Sequence, residues 1–215
     1  MKKLLLISTL LVVTYLTNGQ VLKIQAGISI SSLDWKIMNG GVKVYDQKII
    51  GQSIFIGLDY FRKKYFNLSS NIGTIKKGGS SEVQYTDALG NPLNTEKQKA
   101  TLDYLSFNTT VDLKYPINGK IFPFLSVGPR VDYLLSNSYY FSTLKNNDEL
   151  NKLSYGLNLG AGIKYQFLRF QIGIRGDYLL NLNKISEYNN SNGTPAGEVK
   201  DKTFLVNAIL GFKLK

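Results

Sequence analysis

The sequence predicts an all-β fold, an eight-stranded antiparallel up-and-down transmembrane β-barrel, and three observations predict it. Apolar and polar residues alternate with a period of two in eight separate stretches. The segments that join these stretches alternate in length, short and then long. Glycine and aromatic residues are abundant, with 20 Gly, 14 Tyr and 11 Phe among 215 residues, whereas proline is scarce at 5. Such a chain favours strands whose two faces meet different environments.

The sixth stretch, residues 153–167, shows the alternation most clearly. Its odd positions are apolar: Leu153, Tyr155, Leu157, Leu159, Ala161, Ile163, Tyr165 and Phe167. Its even positions are polar or glycine: Ser154, Gly156, Asn158, Gly160, Gly162, Lys164 and Gln166. A strand, whose side chains point alternately to two faces, gives this pattern, and a helix of period 3.6 does not.

Seven further stretches follow the same rule with more exceptions. They lie at 22–31, 53–60, 66–72, 105–115, 125–133, 170–180 and 204–214, and the one at 66–72 is the weakest. Pro123 and Pro129 fall in the fifth stretch, where a missing N–H group costs a ladder hydrogen bond. We therefore expect a bulge or local break there.

The lengths of the connections predict which end of the barrel faces the periplasm. Residues 62–65, 116–120 and 168–169 form short turns, and residues 36–47, 77–99, 136–152 and 183–202 form long polar loops. Eight strands with both termini at one end require three turns at that end and four loops at the other, which is the number found. Short periplasmic turns and long outer loops are typical of outer-membrane barrels.

The N-terminus predicts export. Lys2 and Lys3 precede an apolar run over 4–16, and Gly19 supplies a small residue for cleavage. The apolar run is shorter than the ~20 residues that a membrane-spanning helix needs. We therefore divide the chain into a signal peptide, 1–19, and an outer-membrane barrel domain, 20–215, and expect the outer membrane of a Gram-negative bacterium.

Two features predict that the apolar face points outward into lipid. The polar face is rich in glycine, which relieves crowding in the narrow interior of an eight-stranded barrel. It also carries both signs of charge, which must be paired if they are enclosed. We expect a charge network in the lumen made of Asp59, Asp112, Arg130, Asp132, Lys164, Arg175, Asp177 and Lys213. Either a salt-bridged plug or an ion path accounts for it, and we favour the plug.

Aromatic residues gather near the ends of the strands on the apolar face. Tyr155 and Tyr165 are ten residues apart, which is about 33 Å along a strand. At a tilt of ~40° this separation spans roughly 25 Å, the height of the apolar band between aromatic girdles. The opposite arrangement, a soluble lipocalin-like barrel with the apolar face around a ligand, remains the main alternative.

The middle of the chain resembles the PorT-like outer-membrane β-barrel family. The segments that carry the resemblance are 102–105, 111–115, 122–129, 133–135, 156–165 and 175–182, and by size the chain is also similar to the OmpX and OmpA barrels. The resemblance implies a fold and a location, but no activity. The chain departs from many outer-membrane barrels in ending Gly211-Phe212-Lys213-Leu214-Lys215, without a terminal aromatic.

Composition excludes several kinds of chemistry. The chain has no His and no Cys, so neither a Ser–His nor an Asp–His catalytic arrangement can form. We expect no enzyme activity, no cofactor and no metal. The net charge of +11 is scattered over loops and turns, and no nucleic-acid motif accompanies it, so we expect no nucleic-acid partner.

We expect a monomeric, non-enzymatic membrane anchor whose four loops form its working surface. The candidate loop contacts, toward outer-membrane lipid, lipopolysaccharide or a surface or envelope protein, are Lys76, Lys77, Lys97, Lys99, Tyr139, Tyr140 and Phe141. Beside the soluble ligand-binding barrel, two alternatives stay open: a barrel subunit of an envelope secretion machine and a narrow channel.

Overall fold

The computed structural model describes residues 20–37, 43–89, 91–138, 141, 150–189 and 195–214. The predicted signal peptide lies outside these residues. The described residues form ten strands, eight long and two short: β1 Val21–Ile37, β2 Lys43–Val44, β3 Ile49–Tyr60, β4 Phe66–Thr86, β5 Pro92–Lys114, β6 Ile121–Asn137, β7 Leu153–Phe167, β8 Phe170–Asn181, β9 Ser186–Asn189 and β10 Pro195–Lys213.

The eight long strands close into an antiparallel up-and-down barrel. Each long strand pairs with the next long strand of the chain, and β1 pairs with β10 over its full length, from Val21 opposite Lys213 to Ile37 opposite Gly197. Closure pairs the backbone groups of every strand and leaves no sheet edge in the lipid. The short strands β2 and β9 extend the sheet at the loop end, beside β1 and β10.

Alternate side chains along each long strand face the outer wall and the lumen of the barrel. Apolar side chains such as Ile56 and Leu125 are 57% and 64% exposed on the outer wall. Polar side chains such as Ser53 and Asp112 are 0% exposed in the interior. This distribution is the inverse of a soluble barrel, so the lipocalin-like alternative is wrong. No helix among the described residues is long and apolar enough to cross a membrane.

The long predicted loop at 77–99 is instead mostly strand. β4 continues to Thr86 and β5 starts at Pro92, so the two strands form a hairpin that projects from the loop end. Likewise β10 begins at Pro195, inside the loop predicted at 183–202. Beyond the membrane both faces of a strand meet water, so the alternation that reveals a strand disappears while its backbone pairing continues.

The prolines of β6 do not break the strand as expected. The pairs Asn108–Arg130 and Val111–Val127 lie on either side of Pro129 and keep one register. The ladder tolerates the single missing donor because the neighbouring pairs hold both strands in place. The register shift between β5 and β6 lies instead at Asp103 and Tyr104, near the loop end.

Candidate functional site

The turn-side half of the lumen holds a compact ionic cluster. The Lys23 ammonium lies 2.5 Å from an oxygen of Asp59, and the Lys164 ammonium lies 3.0 Å from the other oxygen of Asp59 and 3.3 Å from Asp112. Asp112 also accepts a hydrogen bond from the Thr110 hydroxyl at 3.0 Å. These residues point inward from β1, β3, β5 and β7, so the cluster ties opposite walls of the barrel together.

Arg175 extends this cluster toward the middle of the barrel. Its Nε donates to both oxygens of Asp177 at 2.7 Å, and one terminal nitrogen donates to the Ser126 hydroxyl at 3.0 Å. The guanidinium also lies over the Phe124 ring, 5.9 Å from its centroid. Arg175 therefore connects β8 with β6 across the interior.

The middle of the lumen is packed with amides and a few apolar side chains. The Gln25 amide donates to Asn71 at 2.7 Å, and the Asn71 amide donates to Asn108 at 2.8 Å. Phe55, Ile75, Leu179 and Leu205 form a small apolar cluster at this level. A cavity at this level has a volume of about 10 Å³, and a second cavity of about 10 Å³ lies on the turn side beside Asp59 and Lys164. Each has room for the centre of about one water molecule.

The loop-side half of the lumen holds a second ionic cluster. The Lys77 ammonium lies 2.8 Å from Asp132 and 3.3 Å from Asp201. Arg130 contacts Asp132 and donates to the Asn181 side-chain oxygen, and the Asn181 amide donates in turn to Asp201. The cluster links β4, β6, β8 and β10.

Each of the two clusters contains equal numbers of positive and negative side chains. Among the described residues, five cationic and five anionic side chains of the lumen are buried: Lys23, Lys77, Arg130, Lys164 and Arg175 with Asp59, Asp112, Asp132, Asp177 and Asp201. Each has an opposite charge within 4 Å. A buried charge without a partner costs several kcal/mol, so paired charges fix the side chains in place. The arrangement is that of a salt-bridged plug.

The structure corrects the predicted site in three places. Lys77, expected to be a loop contact, lies fully buried in the lumen because β4 runs further than predicted. Lys23 and Asp201 belong to the network although they were not included in it. Lys213, predicted to join the network, lies at the turn end of the lumen with no carboxylate within 4 Å among the described residues.

Interior glycines make room for the charged side chains. A Cβ atom on Gly160 would lie 2.3 Å from Asp177 Oδ1 and 2.6 Å from the Ser126 hydroxyl. A Cβ atom on Gly57 would lie 2.1 Å from Asn71 Oδ1. Side chains at these positions would therefore displace the partners of the ionic network.

An apolar plug closes the lumen at the loop end. It comprises Leu33, Ala100, Leu102, Tyr104, Leu134, Phe141, Leu150, Ile185 and Val199, with Trp35 and Tyr45 packed against it. The Trp35 and Phe141 rings stack with centroids 5.4 Å apart. Phe141 was expected to be an exposed loop contact; instead it is 0% exposed because it folds back into this plug. The strand ends together with Phe141, Leu150 and Ile185 of the connecting segments therefore fill the lumen at the loop end.

The other predicted loop contacts differ in their placement. Lys97 and Lys99 are exposed on the β4–β5 hairpin. Lys76 is half-exposed, and its ammonium lies 3.5 Å from Asp103. Tyr139 and Tyr140 lie outside the described residues. Lys184, in the segment between β8 and β9, donates to Glu187 at 2.9 Å and to Glu198 at 3.0 Å, and these hydrogen bonds raise its pKa above the ordinary value for lysine.

Exposed aromatic rings mark both ends of the outer wall. At the turn end, Tyr165, Phe167, Phe170 and Phe212 form a continuous row in which successive centroids are 6.1, 5.8 and 5.4 Å apart. Toward the loop end, four further rings are exposed: Tyr133, Tyr155, Tyr178 and Phe204. Aromatic girdles at both interfaces are typical of barrels that cross an outer membrane.

The described residues offer no metal-binding group of three or more His, Cys, Asp or Glu side chains. Each buried carboxylate of the lumen is instead held by a lysine or an arginine. These ion pairs include contacts between different strands, such as Lys23–Asp59 and Lys77–Asp201.

A closed barrel with an apolar wall, two aromatic girdles and a filled polar interior defines a small outer-membrane β-barrel protein. The family model for the outer membrane protein beta-barrel domain matches residues 11–187. The chain belongs to this family, and its location is the outer membrane of a Gram-negative bacterium. No curated protein matches the sequence.

The chain is similar to solved structures of outer-membrane proteins at low sequence identity. The chain is 12% identical to the outer membrane protein OprG from Pseudomonas aeruginosa, over 91% of this chain and 95% of that one, with a TM-score of 0.52. It is 14% identical to Ail, the attachment invasion locus protein of Yersinia pestis, over 90% and 99% of the two chains, with a TM-score of 0.43. It is 10% identical to the outer membrane protease OmpT from Escherichia coli, over 92% and 97%, with a TM-score of 0.48.

Proposed function

We propose that the protein is a monomeric, non-enzymatic and non-conducting anchor in the outer membrane, whose loop end is its working surface. The observation that carries this proposal is the filled lumen, with two charge-balanced ionic clusters and an apolar plug above them. A barrel filled in this way passes no solute, so its interior serves rigidity and its outer end remains available for contact.

The projecting hairpin of β4 and β5 is the part of that surface with the longest run of residues beyond the ionic clusters. Its turn is ordered by Asp87, whose Oδ1 accepts hydrogen bonds from the backbone N–H groups of Leu89 and Asn91, both at 2.8 Å. Leu89 and Leu93 near its tip are 87% and 62% exposed. Exposed lysines with exposed apolar residues suit lipopolysaccharide, which presents phosphates beside acyl chains, or a surface or envelope protein.

The remaining parts of the proposal rest on the sequence. We assign residues 1–19 to a cleaved signal peptide because of their basic start, short apolar run and small residue at the end. We also assign the chain to the PorT-like branch of these barrels, on the segments between 102 and 182. Absence of histidine and the ion pairing of every buried lumen aspartate support a non-enzymatic role.

The loop-end role is tested by shortening the hairpin. A variant in which Asn-Gly replaces residues 81–98 keeps Ser80 opposite Lys99, the pair at which the hairpin would be closed. We expect this variant to fold, shown by a mobility shift on boiling, and to lose most binding to lipopolysaccharide micelles. Lys97→Gln/Lys99→Gln tests the charge contribution, and Lys152→Gln/Lys202→Gln, at exposed positions outside the hairpin, is the matched control.

Unchanged lipopolysaccharide binding by the folded, shortened barrel would overturn the proposed role of the hairpin. A stable envelope protein that copurifies with the barrel in stoichiometric amount would favour the secretion-machine alternative. Gel filtration with light scattering in detergent tests the monomeric state.

A further inference from the structure

Among the described residues, the turns and strand ends at the turn end of the barrel carry basic side chains and no acidic ones. The residues at this end that are basic are Arg62, Lys63, Lys64, Lys114, Lys120, Arg169 and Lys213. The turns and strand ends at 60–66, 114–122, 166–171 and 211–214 contain no Asp or Glu. By contrast, the described acidic residues outside the lumen all lie toward the loop end, where several pair with lysines. The two ends therefore present different electrostatic surfaces.

Most of these turn-end cations have no acidic partner. Within the described part of the chain, no carboxylate lies within 4 Å of Lys63, Lys64, Lys120 or Arg169. Lys63 and Lys64 lie over the rings of Phe61 and Tyr65, at 5.4 and 5.1 Å from the centroids. These lysines thus sit at the level of the aromatic girdle, where lipid headgroups lie.

Five of these cations line a basin that adjoins an apolar groove. The basin, of about 310 Å³, is lined by Arg62, Lys63, Lys64, Lys114 and Lys213 together with Pro116, Phe122 and Gln166. Lys114 also lines a groove of about 650 Å³ on the outer wall. The groove exists because Ala161, opposite Leu125, presents a small side chain to the outer wall between larger ones. Its apolar lining consists of Tyr65, Leu113, Tyr115, Pro123, Phe124 and Leu125.

We infer that this end of the barrel binds an anionic phospholipid of the periplasmic leaflet. The basin receives the phosphate-bearing headgroup, and the groove receives an acyl chain. The charge of the basin selects an anionic headgroup, since lysines near an acidic lipid surface attract it electrostatically. The apolar groove next to Lys114 selects a lipid over a soluble anion, because only a lipid gains from burying a chain there. This inference is separate from the proposed role of the loop end.

The test measures lipid retention by the folded full-length barrel. The barrel is reconstituted in vesicles of equal parts phosphatidylglycerol and phosphatidylcholine, released in mild detergent, and weighed by native mass spectrometry. We expect phosphatidylglycerol adducts to dominate. In Lys63→Gln/Lys64→Gln/Lys213→Gln, all of which line the basin, we expect that preference to fall roughly a hundredfold, since each lysine contributes roughly fivefold. The matched control, Lys48→Gln/Lys97→Gln/Lys99→Gln at the loop end, retains the preference.

A second pair of variants tests the groove. Ala161→Phe fills the groove without changing the charge, and we expect it to reduce retention of both lipids at this site. Ala208→Phe, an equivalent exposed alanine on β10, leaves retention unchanged. A mobility shift on boiling establishes that every variant is folded.

Three results would overturn the inference. Equal retention of the two lipids by the unmodified barrel would remove the headgroup preference. Displacement of phosphatidylglycerol by excess inorganic phosphate would make the basin a site for soluble anions. If the triple turn-end variant still prefers phosphatidylglycerol to phosphatidylcholine, these lysines do not bind the headgroup. The remaining partner for this basic surface would then be an acidic polymer of the periplasm.

Discussion

Lys164 is the residue whose removal tests the ionic network most sharply. Its ammonium bridges Asp59 at 3.0 Å and Asp112 at 3.3 Å. With an effective dielectric constant of about 20, each contact corresponds to about 5 kcal/mol of Coulomb attraction before desolvation is subtracted. Removing one member of a buried ion pair costs about 3–5 kcal/mol, because it leaves a buried charge without its partner.

We therefore expect Lys164→Met to lower the free energy of unfolding by about 3–5 kcal/mol. Asp59 keeps Lys23 in this variant, whereas Asp112 keeps only the Asn67 amide and the Thr110 hydroxyl. Adding Asp112→Asn removes that unbalanced charge, so the double variant should recover more than half of the loss. Lys120→Met, on an exposed turn, is the matched control and should change stability by less than about 0.5 kcal/mol.

The assay is reversible unfolding in urea with lipid vesicles, followed by tryptophan fluorescence and by mobility on unboiled gels. Coincidence of the two transitions supports two-state analysis. A loss below about 1 kcal/mol for Lys164→Met, or a double variant less stable than the single one, would refute the reasoning.

Three further predictions follow from the same structure. Gly160→Ala should destabilise the barrel by about 1–3 kcal/mol in the same assay, because its Cβ atom would displace Asp177, whereas Ala208→Gly on the outer wall should cost about 1 kcal/mol or less; equal losses would contradict this. Phe141→Ala should open the apolar plug and speed limited proteolysis at the loop end, while the boiling shift of the barrel persists; unchanged proteolysis would contradict a sealing role. Glu187→Gln/Glu198→Gln should lower the pKa of Lys184 toward its ordinary value, as followed by NMR of the lysine side chain, because both hydrogen bonds to carboxylates favour its charged form; an unchanged pKa would exclude them as the cause.

The membrane-embedded part of the fold could be predicted from the sequence because lipid outside and a polar lumen impose opposite demands on alternate residues. Leu153 to Phe167 shows this rule and forms β7 with the same bounds. The extensions beyond the membrane could not be predicted in this way. Ser81 to Gln84 and Thr95 to Gln98 are paired strands, yet both of their faces meet water and no alternation marks them.

The ionic network was predictable where the strands were. Seven of the eight predicted lumen charges lie inside the barrel. Lys213 differs because β10 ends at this residue, at the turn end of the barrel. Lys77 and Asp201 were missed because they lie in segments predicted to be loops, whereas Lys23 was omitted although it lies on the polar face of the strand predicted at 22–31. A signal for them did exist, since Lys77 continues the inward parity of Ile75, and Asp201 precedes the inward Thr203 by two residues. The folding of Phe141 into the plug has no such signal, because it depends on contacts with Trp35, distant in sequence.

Single-channel recording tests the central claim, that the barrel is a closed anchor, most directly. Purified barrel whose mobility shifts on boiling is inserted into a planar bilayer in concentrated KCl, and current is recorded under applied voltage. The two ionic clusters, the two cavities of about 10 Å³ each and the apolar plug predict no stepwise conductance. Uniform, reproducible conductance steps from the folded barrel would contradict the filled lumen and make an ion path its function.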